Sequence, residues 1–325
     1  MIRVGVIGSG GMAGQRADAF AALGAEVAAI HSRSAERARA LVERHGARFC
    51  GRTADLWPLV DAVVVCAPNA LHAGLALEAL GEGKHVLVEY PLCVSAGELA
   101  ELERAARRAG RALMTGNTIM HEAMFRFLWA RKERLGRLAS AASRVAFYGE
   151  SVGGAWYMRP EMRGPVFAAF HYHHIEYYRR FLGEVKWVSA NDESRPDPER
   201  PGCEGLAGGT LVMGHETGAT SCVQWYLGAS GNGLPRAITL NGAAGSVTVL
   251  SRQGQEESDV VWDDGGEGKI ESFVNEWGVE GSCRDFLAAV EGRLDAGERL
   301  AWDAGTLRVG LAASEAAQRG GFARL

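Results

Sequence analysis

Ile2-Arg3-Val4-Gly5-Val6-Ile7-Gly8-Ser9-Gly10-Gly11-Met12-Ala13-Gly14 is the stretch whose reading decides the fold. Residues 2–7 form a short apolar run of strand character, and the alanine-rich residues 13–22 follow as a helix. Between them Gly8, Gly10 and Ala13 occupy the defining places of the G-x-G-x-x-(G/A) pattern. Gly8 permits a tight turn, Gly10 lets main chain approach a pyrophosphate, and the small Ala13 lets helix and strand pack closely. The N-terminus of such a helix offers unpaired N–H groups and a partial positive charge to phosphate. Strand, glycine turn and helix together are the context that a dinucleotide site requires. A bound nucleotide is therefore expected at Gly8, Gly10, Gly11 and Met12.

Outward from this turn, residues 26–30 read as a second strand ending at His31-Ser32-Arg33-Ser34, with Ser34 capping a helix over 35–45. An NAD site places Asp or Glu about twenty residues past the glycines, on the ribose 2′-hydroxyl. Here Ser32 and Arg33 stand in that region and no acid does. A carboxylate would repel a 2′-phosphate, whereas Ser donates a hydrogen bond to one and the Arg fork matches its geometry. NADP is the expected cofactor, with NAD the alternative.

Asp61-Ala62-Val63-Val64-Val65-Cys66-Ala67 is a continuous apolar strand, as in a parallel sheet covered on both faces. Pro68-Asn69 ends it, and residues 71–80 read as a helix. A strand at 85–88 closes on Glu89-Tyr90-Pro91, Ser95 caps a helix running to 109, and 112–115 is a further strand. Alternation of strand and helix from 2 to about 117 means a doubly wound parallel sheet with its ligand crevice at the carboxyl ends of the strands. Those ends bring forward Ala67, Pro68, Asn69 and His72, then Glu89 and Tyr90, then Asn117 and His121.

After a helix expected over 121–135 the texture changes. Strands are expected at 138–148, 185–190, 209–213, 219–226, 237–240 and 246–250, with turns at Asn232-Gly233 and Asn241-Gly242. Helices are expected over 165–182, 272–291 and 303–319, the last capped by Asp303 and closed by Gly320-Gly321. Residues 191–208 read as an exposed loop. The fold class is therefore α/β. A Rossmann-type doubly wound domain (1–120) precedes an α+β domain (121–325) with an open, mainly antiparallel sheet, and the final helix could pack back on the first domain.

Length agrees with two domains, since 325 residues exceed the usual single core. A 47% hydrophobic and 23% charged composition is that of a soluble globular chain. Thirty-five basic against 39 acidic residues leave a formal net charge of −4, which gives no field favouring nucleic acid or anionic membrane. Six scattered cysteines without a C-x-x-C pair, no membrane-length apolar run and no leader pattern lead to an expected cytoplasmic location.

The residues resemble one family, the Gfo/Idh/MocA oxidoreductases of the glucose–fructose oxidoreductase and inositol dehydrogenase type. The resemblance rests on Gly5-Val6-Ile7-Gly8-Ser9-Gly10-Gly11-Met12, on 61–72, and on Gly83-Lys84-His85-Val86-Leu87-Val88-Glu89-Tyr90-Pro91-Leu92. It continues through His173-His174-Ile175-Glu176, Leu182-Gly183 and 311–317. It implies a small-molecule substrate held between the domains beside the nicotinamide, hydride transfer at a carbinol or carbonyl carbon, and a homodimer or homotetramer formed through the C-terminal sheet. Two departures stand out. The family's Glu-Lys-Pro is here Glu89-Tyr90-Pro91, and the Asp four residues before the family's His is Ala169 counted from His173, or Phe170 counted from His174. The Glu-Tyr-Pro variant is similar to that of biliverdin reductase, a divergent member that reduces a conjugated bridge.

Hydride delivery to a carbonyl or imine needs a proton donor beside the atom that gains charge. His173, with an ordinary pKa of about 6.5, and Tyr90, a neutral phenol with an ordinary pKa near 10, are the candidate catalytic groups. Tyr in place of Lys favours the reductive direction or a different substrate. Tyr157 and Arg163, in the Gly/Pro-bounded segment 153–165, could lie over substrate, with Arg163 on an anionic group. His174, Asn117 and His121 complete the substrate candidates, while Asn69 and His72 position cofactor and helix. No metal-ligand spacing is recognisable. The expected activity is an NADPH-dependent reductase of a C=O, C=N or conjugated C=C. The alternatives are a sugar or cyclitol dehydrogenase, a redox-cycling or non-redox lyase or hydrolase with retained nucleotide, and a catalytically silent nucleotide-binding protein.

Overall fold

A computed structural model describes residues 1–148, 156–228, 236–251, 255–263 and 269–325. The chain opens with β1 (Arg3–Ile7), α1 (Gly11–Ala22), β2 (Glu26–His31), α2 (Ala35–His45), β3 (Arg48–Cys50), β4 (Ala62–Val65), α3 (His72–Gly81), β5 (His85–Val88), α4 (Ala96–Ala109) and β6 (Leu113–Thr115). There follow α5 (Ala123–Trp129), β7 (Leu138–Tyr148), α6 (Pro160–Arg163), α7 (Val166–Phe170), α8 (Tyr172–Leu182), β8 (Val185–Asp192), β9 (Arg195–Pro196), β10 (Glu204–His215) and β11 (Thr220–Gly228). The rest is β12 (Arg236–Gly242), β13 (Gly245–Ser251), β14 (Glu257–Asp263), β15 (Lys269–Val274), α9 (Val279–Val290), α10 (Ala296–Arg319) and β16 (Phe322–Arg324).

Contacts divide these residues into two units, Met1–Thr118 with Gly278–Leu307, and Ile119–Trp277 with Arg308–Leu325. The first holds a six-stranded sheet in the order β3-β2-β1-β4-β5-β6, parallel throughout. All four residues of β4 are buried, as a strand must be when helices cover both faces. Val4, Val6, Val64, Leu87 and Met114 from the strands pack with Ala13, Ala17 and Phe20 of α1. From α9, Phe286 closes this core edge-on against Phe20, ring centres 6.1 Å apart.

The second unit holds a ten-stranded sheet, β15-β14-β13-β12-β7-β11-β10-β8-β16, with β9 paired to β10. Every pairing is antiparallel except β7 with β11. Alternate residues such as Val247 and Val249 of β13 are fully buried, beside Leu211, Val223, Trp225 and Leu240 and the helical Phe167, Ile175, Tyr177 and Tyr178.

Where local signals were strong, the elements fall where the sequence puts them. Ser34 caps α2 by accepting from the Arg37 N–H at 3.3 Å, Ser95 caps α4 by accepting from the Glu98 N–H at 3.2 Å, and β7 spans 138–148. Elsewhere the chain breaks what the sequence joins. The helix expected over 121–135 is α5 between two 3-10 turns, and that over 165–182 is interrupted at His171. Residues 191–208 are only partly a loop, since β8 runs to Asp192, β9 intervenes and β10 begins at Glu204. The helix expected over 272–291 is a strand to Val274 and a helix from Val279, parted at Gly278 with φ +68°. The final helix starts at Ala296 rather than Asp303, capped by the Asp295 carboxylate on the Gly297 and Glu298 N–H groups. The Asn232-Gly233 turn and residues 153–155 lie outside the described residues.

Candidate functional site

The carboxyl ends of the first unit's strands gather most of the expected site. Gly8 follows β1 with φ +135°, and a Cβ there would lie 2.4 Å from the Cys66 carbonyl oxygen at the end of β4. Glycine is required twice over, by backbone conformation and by the closeness of the next strand. Gly10, the N-cap of α1, and Gly11 are different: a Cβ on either would meet nothing within 4 Å. Packing does not demand their smallness, so the open space above the helix is what they preserve. No side chain caps the helix start and no acid lies in its first turn. The residues thus fit a dinucleotide pyrophosphate, with the α1 N–H groups free of side-chain capping and no carboxylate to repel it. Met12 lies exposed on the same first turn.

At the end of β2, Ser32 is buried and its Oγ lies 2.9 Å from Ser9 Oγ, tying the second strand end to the glycine turn. Ser32 Oγ also accepts from the Ser34 N–H at 3.2 Å. Arg33 is exposed beside it. His31 Nδ1 contacts the Cys50 carbonyl at 2.9 Å, and a carbonyl only accepts, so this nitrogen carries the proton.

After β4, Ala67 and Pro68 are half-buried and Asn69 is buried. His72 opens α3 fully buried, with Nδ1 2.7 Å from the Pro91 carbonyl and Nε2 2.8 Å from the Ala67 carbonyl. Burial lowers its pKa against those two carbonyls, which favour the protonated ring. After β5, Tyr90 is half-buried and its peptide bond to Pro91 is cis.

Two of the first unit's candidates are engaged within the protein. Glu89, expected at the cofactor, is buried, and its Oε1 accepts from Arg16 Nε at 2.6 Å. Asn117, expected in the substrate wall, is fully buried, and its Nδ2 approaches Asp303 Oδ1 at 3.5 Å. Asp303, expected as a cap, sits inside α10 and accepts from the Thr115 N–H at 3.3 Å. Arg16 is the buried charge beside these strand ends that sequence reasoning missed. It lies with Ala13, Ala17 and Phe20 on the buried stripe of α1, and a charge on an apolar stripe is the signal that could have found it. Burial alone would lower the Arg16 pKa, but the adjacent Glu89 carboxylate and Cys283 reverse the sign and hold the guanidinium charged.

His121, Tyr157, Arg163, His173 and His174 belong to the second unit. His173, in the first turn of α8, is half-buried and edge-on to Tyr172, ring centres 6.2 Å apart. His121, at the end of a 3-10 turn, is half-buried. Tyr157 donates its hydroxyl to the Ala169 carbonyl at 3.1 Å, and burial raises its pKa. Arg163 does not stand ready for a substrate anion, because it is buried and its Nη1 is 2.5 Å from Glu204 Oε2. His171 precedes α8 as its N-cap, and His174 lies in the first turn of that helix. Both are buried, their rings 5.6 Å apart, with His171 against Trp225. Burial lowers the His171 pKa to about 3 and drives that of His174 down too, so both rings are neutral near pH 7.

Residues 2–117 match the oxidoreductase family with NAD-binding Rossmann fold, Gfo/Idh/MocA. 1,5-Anhydro-D-fructose reductase of Ensifer adhaerens is 28% identical over 274 residues, which cover 79% of this chain and 82% of that protein. The first curated relatives are matched over little more than a third of their own length, 35% and 38%. Among solved structures, biliverdin reductase from Synechocystis sp. PCC 6803, in complex with biliverdin and NADP+, shares the fold at TM-score 0.84 and 20% identity, covering 98% of this chain and 99% of that one. GenD2 from gentamicin A biosynthesis, in complex with NAD, does so at TM-score 0.82 and 24% identity, covering 100% and 96%. With its glycine turn and parallel sheet order, the segment 2–117 is thus similar to the Gfo/Idh/MocA oxidoreductases with an NAD-binding Rossmann fold.

Proposed function

We propose that this chain is an NADP-preferring reductase acting on a C=O, C=N or conjugated C=C of a small molecule. The observation that carries it is the end of β2, where Ser32 is tied to Ser9 of the glycine turn and the exposed Arg33 stands beside it with no acid in that turn. There the Arg33 fork and a seryl hydroxyl would hold a 2′-phosphate, the turn at Gly8–Gly11 the pyrophosphate, and the strand end at Ala67–Asn69 the rest of the nucleotide. When bound, the reduced nicotinamide supplies the hydride.

Tyr90 is proposed as the hydrogen-bond and proton donor in place of the family's Lys, and His173 as a second donor. A phenol that stays neutral at pH 7 donates but does not readily accept a proton, which suits reduction better than oxidation. Ala169 in place of the family's Asp removes a carboxylate that would orient a basic His, in keeping with the same direction.

A cytoplasmic location is proposed from the six cysteines, all of them free thiols. A homodimer or homotetramer through the second unit's sheet is proposed from the half-exposed register of β13, with Thr248 and Leu250 on the face opposite Val247 and Val249. Light scattering of the purified protein decides between monomer and oligomer.

The function is tested by titrating the protein with NADPH and NADH while following nicotinamide fluorescence. NADPH should bind ~10-fold or more tightly, and Arg33→Ala should remove most of that difference, since a charge-assisted hydrogen bond contributes about 1.5–3 kcal/mol. Equal affinity for both nucleotides would sink the NADP reading, and no binding of either would sink the reductase. NADPH oxidation is then followed with 1,5-anhydro-D-fructose and biliverdin as probes. Tyr90→Phe and His173→Ala should each lower turnover by ~10²–10⁴ if the group donates the proton.

A further inference from the structure

We propose that Arg16 is a positioning residue which, together with His72, fixes the Glu89-Tyr90-Pro91 turn from two sides, so that Tyr90 is presented in one geometry. The proposal deepens the reading of Tyr90 as a donor and rests on it for its catalytic meaning.

Arg16 is fully buried in the middle of α1. A guanidinium removed from water must be satisfied by partners on every side, and this one reaches three other parts of its unit. Its Nε donates to Glu89 Oε1 at 2.6 Å, and its Nη2 donates to the Gly116 carbonyl just past β6 at 2.6 Å. Its Nη1 faces the Val279 carbonyl at 3.4 Å and Cys283 Sγ at 3.6 Å at the start of α9. The space for this is built into the chain, because a Cβ on Gly116 would lie 2.6 Å from Arg16 Nη2 and 3.1 Å from Glu89 Oε1. Gly116 has no left-handed backbone to explain its identity, so the room it leaves for the ion pair does.

From the other side comes His72. Its ring spans the Pro91 and Ala67 carbonyls at 2.7 and 2.8 Å. An imidazolium donates to both, a neutral ring to one, and in either state the ring holds the two strand ends apart at a set distance. The residue before Tyr90 is thus held by a guanidinium from α1, and the residue after it is braced by an imidazole from α3. A buried ion pair adds little net stability over apolar packing of the same shape. What it adds here is direction. The guanidinium holds the carboxylate one residue from the proposed donor through Nε while its other nitrogens are anchored on Gly116 and α9, and α1 is the helix whose N-terminus would take the pyrophosphate.

The test uses the full chain saturated with NADPH. Arg16→Lys keeps the charge and loses the fork, and His72→Gln keeps one donor and loses the ring. Native-state hydrogen exchange by mass spectrometry should show the segment 88–94 opening ~10-fold or more faster in each variant, with β1 and β4 unchanged. In [¹³Cζ]tyrosine-labelled protein the Tyr90 signal, assigned by its loss in Tyr90→Phe, should move or broaden in both variants. Unchanged exchange at 88–94 with an unmoved Tyr90 signal would overturn the proposal. So would an equal rise in exchange across the whole first unit, which marks a merely structural pair. If Arg16→Lys does not fold, His72→Gln and Gly116→Ala, which pushes on the pair without removing it, carry the same readouts. Full turnover in Tyr90→Phe would refute the donor role of Tyr90, while the exchange and the remaining variants still decide whether the turn is clamped.

Discussion

His171 gives the second unit an acid sensitivity whose size can be worked out. Its ring is fully buried against Trp225, with ring centres 5.2 Å apart, and burial lowers its pKa from 6.5 to about 3. An unfolded chain carries His at the ordinary value, so between those limits the unfolded state binds a proton that the folded state does not. Stability is then full above pH 6.5 and falls as the pH drops toward 3. At about pH 5 the gap of roughly 1.5 units corresponds to about 2 kcal/mol lost relative to neutrality. His72, His174 and His215 are lowered in the same direction and add to the slope. Urea denaturation near neutrality and near pH 5, followed by tryptophan fluorescence, measures the loss. His171→Phe replaces the imidazole by a ring that cannot titrate. Its own packing cost is the same at both pH values, so it cancels in the difference. The variant should therefore lose about 2 kcal/mol less than the parent between the two conditions. Equal losses in both proteins would show that the folded state protonates His171 freely and that burial does not hold it neutral.

Gly8→Ala forces a side chain onto a backbone at φ +135° and sets its Cβ against the Cys66 carbonyl. The strained φ alone costs ~1–3 kcal/mol, so the melting temperature should fall together with NADPH affinity. Gly14→Ala, on the same helix with nothing within 4 Å of the new Cβ, should instead be neutral or stabilising by up to ~1 kcal/mol, and equal damage at both sites would refute the close-approach argument. Arg163→Ala strands the Glu204 carboxylate, whose side chain is only 13% exposed, and should cost ~3–5 kcal/mol of stability in denaturant titrations. A well-folded Arg163→Ala protein with a raised KM would reinstate Arg163 as a substrate ligand.

What the sequence made legible, and what it did not, divides along the range of the interaction. β4 was readable because Ala62–Val65 are all apolar, and the starts of α2 and α4 because Ser34 and Ser95 bond main-chain groups three residues on. Such signals are complete within one short stretch. Asp303 was misread because Asp before an apolar run is also the mark of a cap. Its real partners, Thr115 and Asn117, stand 188 and 186 residues away, while Asp295, with Glu298 three residues on, carried the cap. Arg163 read as a free cation for the same reason, since nothing near it in the chain names Glu204, 41 residues on. The cofactor turn escaped this difficulty because backbone, not side-chain partnership, does its binding. The turn around Tyr90 did not escape it. What lies on either side of Tyr90 is set by a guanidinium 73 residues from Glu89 and an imidazole 19 residues from Pro91, and the room for the first by a glycine 100 residues from Arg16. Tyr90 between Glu89 and Pro91 therefore keeps one geometry only if that frame holds. Here the frame is a buried ion pair and a buried ring, so the geometry of residue 90 should depend on the distant Arg16 and His72 as much as on Glu89 and Pro91 beside it.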